Sequence, residues 1–267
     1  MMKSKVDKPE WSNMLSRAVS EPGSISEAYS RFWHYSVCNQ MLAMAQCRDR
    51  KIESGPLASY KAWQRQGRQV RRGQKAVALL MPITIKAKDD KGKPEDETKR
   101  RVIFVMRRNW FVLSQTEGDD YTPEPIPDWD LPRALESLDI TEESFNHIDG
   151  NAQGYARKRT IAVSSIAAMP HKTRFHELGH VILGHTVEGA HTDSETPSRS
   201  LAEAEAESVA LICCESLGLP GAKFSRGYIQ GWLDGDTIPD RSAQRIFSAA
   251  DKILKAGLPT KQQVVTQ

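Results

Sequence analysis

The segment His176-Glu177-Leu178-Gly179-His180 places two imidazoles four residues apart with a carboxylate between them. It lies in an apolar-periodic run, Thr173 to Leu183, that reads as one helix. Positions four apart share a helical face, so both histidines can present a nitrogen to one metal ion. Glu177 is then the group that takes a proton from an attacking water and delivers it to the leaving group, as in zinc hydrolases of this pattern. The spacing points first to Zn2+-dependent hydrolysis, with His176 and His180 as ligands and Glu177 as the catalytic carboxylate.

A catalytic zinc takes three protein ligands and keeps a fourth position open. The extended pattern H-E-x-x-H-x-x-G-x-x-H would need glycine at position 183 and histidine at 186. The chain has Leu183 and Thr186, with Gly184 and His185 out of register, which excludes it. A second source is a loop ligand, His185, His191 or Asp193, in a polar, turn-rich stretch with no other support. The third is the next helix, which starts near Ser198 or Ser200 and runs from Leu201 to Leu217 before Gly218 stops it. Glu203 and Glu207 share a face of that helix, whereas Glu205 is turned about 200° from Glu203. This favours Glu203 as ligand and Glu207 as the carboxylate that hydrogen-bonds a ligating histidine. The competing reading makes all three glutamates the solvated face of an alanine-rich helix.

The elements that must position these residues are α+β. Ahead of the metal helix, Gly154 to Val163 reads as a hairpin or edge strand, with Ile161 and Val163 alternating inward; an edge there could pair with an extended peptide, and a plain core strand is the equal alternative. The amino-terminal half opens with a helix from Ile25 to Cys47, then a short helix ending at Gly67 and a basic turn. Next comes a strand from Ala76 to Ile85, a charged excursion from Lys86 to Arg101 and a partner strand over 102–113. In the excursion Lys88, Asp89, Lys91 and Glu95 have mixed sign and read as a solvated tip. Near the carboxyl terminus a helix is expected from Ser242 to Ala256. Tyr228 is a candidate phenolic donor to an oxyanion, although packing in the core is the simpler reading.

Charge divides the chain. Residues 1–120 carry 23 Lys and Arg against 14 Asp and Glu, a balance of +9, whereas residues 121–267 carry 14 against 20, or −6. Between the halves, Tyr121 to Trp129 is rich in proline and reads as a stiff, extended connector. The expected organisation is a small α+β domain over 1–122, a linker over 123–130 and a second domain over 131–267. A content of 39% hydrophobic and 27% charged residues is that expected of an ordinary soluble protein. No apolar run approaches the roughly 20 residues of a membrane span, and no hydrophobic stretch follows Met1 to Lys8, so a cytoplasmic location without membrane partners is expected. The cysteines Cys38, Cys47, Cys213 and Cys214 lack C-x-x-C spacing and read as free, buried thiols.

In the basic half, Arg65, Arg68, Arg71, Arg72 and Lys75 fall within eleven positions beside Trp63, with Arg107, Arg108 and Trp110 in a later strand. Cations neutralise phosphates and aromatic faces stack unpaired bases, which makes single-stranded DNA a candidate partner. The segments His34 to Gln46, Tyr60 to Trp63, Gly67 to Lys75 and Val112 to Gly118 resemble the amino-terminal single-stranded-DNA-binding domain of ArdC-type antirestriction proteins. Phe175 to His180, together with Glu203 to Ala210, is similar to their zincin-like metallopeptidase domain, itself related to the ImmA/IrrE peptidases. The resemblance spans about residues 25 to 250. It implies carriage on a mobile element, binding of incoming single strands and protection of that DNA from restriction. It also implies Glu203 as third ligand, four residues before Glu207.

Two functional classes follow. One is a DNA-associated zinc peptidase acting on a protein whose identity the sequence does not supply, including a peptidase acting on DNA-bound proteins. The other is a single-stranded-DNA-binding protein whose metal site is structural or vestigial. An intact Glu177 favours the enzyme, because a structural zinc has no need of a general base.

Overall fold

The computed structural model describes residues 9–86, 100–146, 152–187, 198–233 and 236–259. In chain order its elements are α1 (Trp11–Ser20), α2 (Ser24–Phe32), α3 (Val37–Asp49), β1 (Leu57–Ser59), α4 (Tyr60–Arg65), β2 (Arg68–Val70), β3 (Val77–Lys86), β4 (Arg100–Val112) and β5 (Thr116–Gly118). There follow α5 (Leu131–Leu138), β6 (Thr141–Ser144), β7 (Gly154–Arg157), β8 (Thr160–Val163), α6 (Pro170–Leu183), α7 (Arg199–Ser216), α8 (Ala222–Leu233) and α9 (Asp240–Ala256). The class is α+β. Contacts divide the chain into two compact units, one of residues 1–9 and 39–123, the other of 10–38 and 124–267.

The first unit is built on an antiparallel sheet of order β1-β4-β3, with β2 and β5 paired beside it in a ribbon of their own. The two long strands on either side of the charged excursion do pair, from Val77 opposite Trp110 to Lys86 opposite Arg100. β3 is an edge strand, and unpaired edges invite association. Part of that edge is covered by amide side chains from α3. Gln46 accepts from Ala78 N–H at 2.9 Å and donates to Ala78 C=O at 2.8 Å, and Asn39 does the same for Leu80 at 2.8 and 3.0 Å. Met41, Leu42, Met44, Trp63, Leu79 and Val112 fill the core of this unit. The predicted helix from Ile25 to Cys47 is two helices, interrupted after Phe32 and resumed at Val37. Tyr35 N–H bonds back to Phe32 C=O at 2.8 Å, a tight turn made without glycine or proline.

In the second unit a three-stranded sheet of order β6-β8-β7 supports α6. Arg174 on α6 grips Glu142 on β6 with three contacts of 2.8–3.0 Å, anchoring the helix to the sheet. Ile161 and Ala162 are both fully buried while Val163 is only partly so, against the expected alternation. The reason is that β8 is the central strand: successive side chains point to opposite faces, and both faces are covered at this point.

α7 is the hub of this unit. From Ala204 to Ser216 it is buried on every side, with α6, α8, α9 and α2 around it. Its small residues allow that closeness, and Ser198 caps it by accepting from Leu201 N–H at 3.2 Å. α1 and α2 belong here as well. Trp11 meets Phe247 of α9 edge-on at 6.2 Å, Ser12 N–H donates to Asp240 at 3.0 Å, and Glu215 accepts from Ile25 N–H at the start of α2 at 3.3 Å. Of the thiols, Cys47, Cys213 and Cys214 are buried and Cys38 is partly exposed; all are free. No helix among the described residues is long and apolar enough to cross a membrane.

Candidate metal centre

α6 and α7 cross at Gly179. A β-carbon there would lie 3.2 Å from both Cα and C=O of Ala206, so only glycine permits this approach without displacement. The crossing sets His176 and His180, on one face of α6, opposite Glu203 on α7. Their Nε2 atoms are 3.1 Å apart, and Glu203 Oε2 is 3.3 Å from His176 Nε2 and 3.6 Å from His180 Nε2. Three ligands at about 2.1 Å in a tetrahedral arrangement would be about 3.4 Å from one another. The donor set therefore fits a divalent cation, and these three residues form the one such cluster found among the described residues.

The outer nitrogens of the two histidines have different partners. His176 Nδ1 is 2.9 Å from Glu207 Oε2, and Glu207 Oε1 is 2.7 Å from Lys172 Nζ. His180 Nδ1 is 3.0 Å from His185 Nδ1, and His185 Nε2 is 2.8 Å from Glu205 Oε2. Burial alone would lower the His176 pKa, but hydrogen bonds to Glu203 and Glu207 carry it up to about 9. Glu203, bonded by both imidazoles, is held well below the ordinary carboxylate range. Burial opposes ionisation of Glu207, yet the His176 bond and the Lys172 charge bring it down to about 2. Burial raises Glu177, and the two histidines only partly offset this.

A cleft of about 470 Å³ opens on the cluster, lined by Gly154, Lys172, His176, Glu177, Glu203, Phe224 and Tyr228, among others. Tyr228 stands in this cleft, 58% exposed, with Lys172 Nζ 4.9 Å above its ring, rather than in the core. The structure brings His176, Glu177, His180, Glu203 and Glu207 together around one cleft. His185 and Glu205, set aside as ligand candidates or as pointing elsewhere, also belong to the constellation from behind. His191 and Asp193 lie outside the described residues, as do Lys88, Asp89, Lys91 and Glu95.

The expected DNA-binding residues are distributed differently. Trp63 is fully buried and donates from Nε1 to Phe111 C=O at 2.8 Å, so its faces are not available to bases. This corrects the expectation of a stacking platform: the ring is core because α4 turns it onto the sheet. Arg68 is committed to Thr116 Oγ1 at 2.8 Å and to backbone carbonyls of Thr116, Gly118 and Asp119, and Arg71 to Ser114 C=O. Arg65, Arg72 and Lys75 are exposed. Val102 and Phe104 of β4, absent from the expected surface, are 59% and 64% exposed in the same strand as the exposed Arg100, Arg101, Arg107 and Arg108. The strand carries two Arg pairs, 100–101 and 107–108, on either side of these apolar residues.

Fold and site together define an α+β protein with an H-E-x-x-H cluster able to hold a divalent cation. Residues 6–111 match the family model of the N-terminal domain of anti-restriction factor ArdC. The fold is similar to that of the antirestriction ArdC protein from plasmid R388. Its metal-free crystal structure matches with a TM-score of 0.53 at 19% identity, covering 92% of this chain and 94% of that one. The Mn(II)-bound form matches with a TM-score of 0.50 at 18% identity, covering 94% and 96%. No curated protein matches the sequence. The likeness to ArdC-type proteins thus lies in the sequence of residues 6–111 and, along nearly the whole chain, in the fold.

Proposed function

We propose that this chain is a zinc-dependent peptidase that binds single-stranded DNA and serves antirestriction protection of incoming DNA for a mobile element. The observation that carries the enzymatic part is the convergence of His176, His180 and Glu203 beside a buried Glu177 at the wall of an open cleft. Zinc held there would supply Lewis acidity toward a peptide carbonyl and toward water. Glu177 is suited to the proton transfer because burial raises its pKa, which makes the carboxylate a stronger base. Gly154, Tyr155 and Ala156 of edge strand β7 line the site and offer backbone groups to an extended peptide. Lys172 fixes Glu207, which in turn fixes His176.

The DNA-binding part rests on the exposed cations Arg65, Arg72 and Lys75, the basic β4 and the family match of the amino-terminal domain. The Mn(II)-bound relative supports metal binding in this fold. The test combines metal analysis with digestion of a random peptide library, with and without single-stranded DNA. One zinc per chain, lost in Glu203→Ala and kept in Glu177→Gln, with cleavage by the wild type alone, is the expected result. Cleavage by Glu177→Gln, or a zinc-loaded wild type that cuts nothing under either condition, refutes the peptidase assignment and leaves a metal-containing DNA-binding protein.

A further inference from the structure

The turn that closes α6 brings a third histidine onto the back of the cluster. Gly184 is left-handed, with φ of 83°. Its N–H bonds to Val181 C=O at 3.2 Å, and the N–H of His185 bonds to His180 C=O at 2.9 Å. This pair of bonds makes a Schellman end, which sets the residue after the glycine against the residue five before it. Where such an end usually joins two apolar side chains, here it joins His185 to His180. The two Nδ1 atoms are 3.0 Å apart, and His185 Nε2 is 2.8 Å from Glu205 Oε2. The side chains of His185 and Glu205 are 5% and 0% exposed, and Arg245 Nη1 lies 3.7 Å from Glu205 Oε1.

The proton count across these rings has one solution if His180 is a ligand. His180 must leave Nε2 bare on the side facing Glu203, so its proton is on Nδ1. His185 must then accept at Nδ1, and its own proton is on Nε2, where a carboxylate oxygen waits. We propose that His185 and Glu205 are positioning residues that hold His180, through this chain of two hydrogen bonds, in the tautomer and orientation that binds metal. The proposal rests on the metal-site reading above. It gives α7 a double role: Glu207 steadies His176 directly, and Glu205, two residues earlier, steadies His180 through an intervening imidazole. A carboxylate behind a ligating imidazole also strengthens the imidazole as a donor.

Zn2+ and Co2+ alone are the probes, titrated against a chromophoric chelator, with histidine ring 15N shifts recorded on the zinc-loaded wild type. His185→Phe, which keeps a planar ring without nitrogens, should weaken zinc binding about 10–100-fold, the usual effect of removing such a partner. His185→Gln, whose amide oxygen can accept from His180 Nδ1–H, should recover most of the loss. The ring spectra should show a protonated Nδ1 on His180 and a bare Nδ1 on His185. Unchanged affinity in His185→Phe, equal losses in the Phe and Gln variants, or a protonated Nδ1 on His185 would each overturn the proposal. The ring spectra decide it even if a variant fails to fold. If His176→Ala binds zinc as the wild type does, the metal-site reading itself fails and the relay with it. If His176→Ala abolishes binding while His185→Phe leaves it intact, the relay alone falls.

Discussion

Replacing Gly179 with alanine should weaken metal binding as well as the fold. A β-carbon at this position would meet Ala206 Cα and C=O at 3.2 Å and Val209 Cβ at 3.3 Å. A relaxed carbon contact is about 3.5–4.0 Å, so α6 must withdraw from α7 by about 0.3 Å or more. Alanine gains about 1 kcal/mol over glycine in a helix, and overpacking costs about 1–3 kcal/mol, which leaves a net loss of about 0–2 kcal/mol. The metal centre has less tolerance. Both histidines ride on α6 and Glu203 on α7, and ligand distances are held to about 0.2 Å in working sites. An affinity loss of about tenfold, the lower end for disturbed ligand support, is expected. Chelator competition with Zn2+ measures the affinity, and thermal unfolding in EDTA measures the fold. A Gly179→Ala chain that loses stability yet binds zinc as tightly as the wild type would refute the idea that this crossing sets the site.

Trp63→Ala should cost about 3–5 kcal/mol in denaturant unfolding, as a fully buried aromatic does, and a loss under 1 kcal/mol would argue against its core position. Arg72→Gln combined with Lys75→Gln should reduce both single-stranded-DNA affinity and the slope of its salt dependence by up to about two charges, with unchanged binding placing the DNA surface elsewhere. Burial raises the thiols of Cys38 and Cys214 to about 12 and that of Cys47 to about 11, from an ordinary 9.0. Because these native values lie above the unfolded one, the stability they contribute is complete below pH 9 and is lost as pH rises toward 12. Unfolding midpoints measured across that range should fall, and a flat profile would contradict the burial; native protein at pH 8 should also resist iodoacetamide until denatured.

The cluster of His176, His180, Glu203 and Glu207 was legible because helical periodicity fixes relative direction along one element: four residues separate His176 from His180, and four separate Glu203 from Glu207. The same rule could say only that Glu205 points away from Glu203, not what it would meet there. Its partner His185 arrives through a turn after α6, and a sequence pattern carries no coordinates for two elements at once. Gly184 followed by a polar residue was the available clue, since a Schellman end predicts contact between His185 and His180. Trp63 failed for a related reason. An aromatic among arginines satisfies both a stacking surface and an amphipathic helix, and the sheet beneath α4 decides which. The break after Phe32 escaped notice because apolar residues continue through Trp33 and Tyr35 and mask the turn. Glu10 to Cys38, divided from the rest of its compact unit by some 85 residues, shows no local signal of where it packs.

That separation has a consequence for how the molecule is made. α1 and α2 leave the ribosome about 200 residues before the groups they bond to: Val19 C=O waits for Arg226 at 2.7 Å, and Ser12 for Ile238 at 2.7 Å and for Asp240. Contacts so distant in sequence close slowly, because the intervening chain must give up its freedom before they form. During synthesis Trp11 and Leu15 of α1 therefore emerge as an unfinished apolar surface, and a nascent chain stalled before α9 lacks the helix they pack against. Emergence of α9 is thus also the step that seals α1.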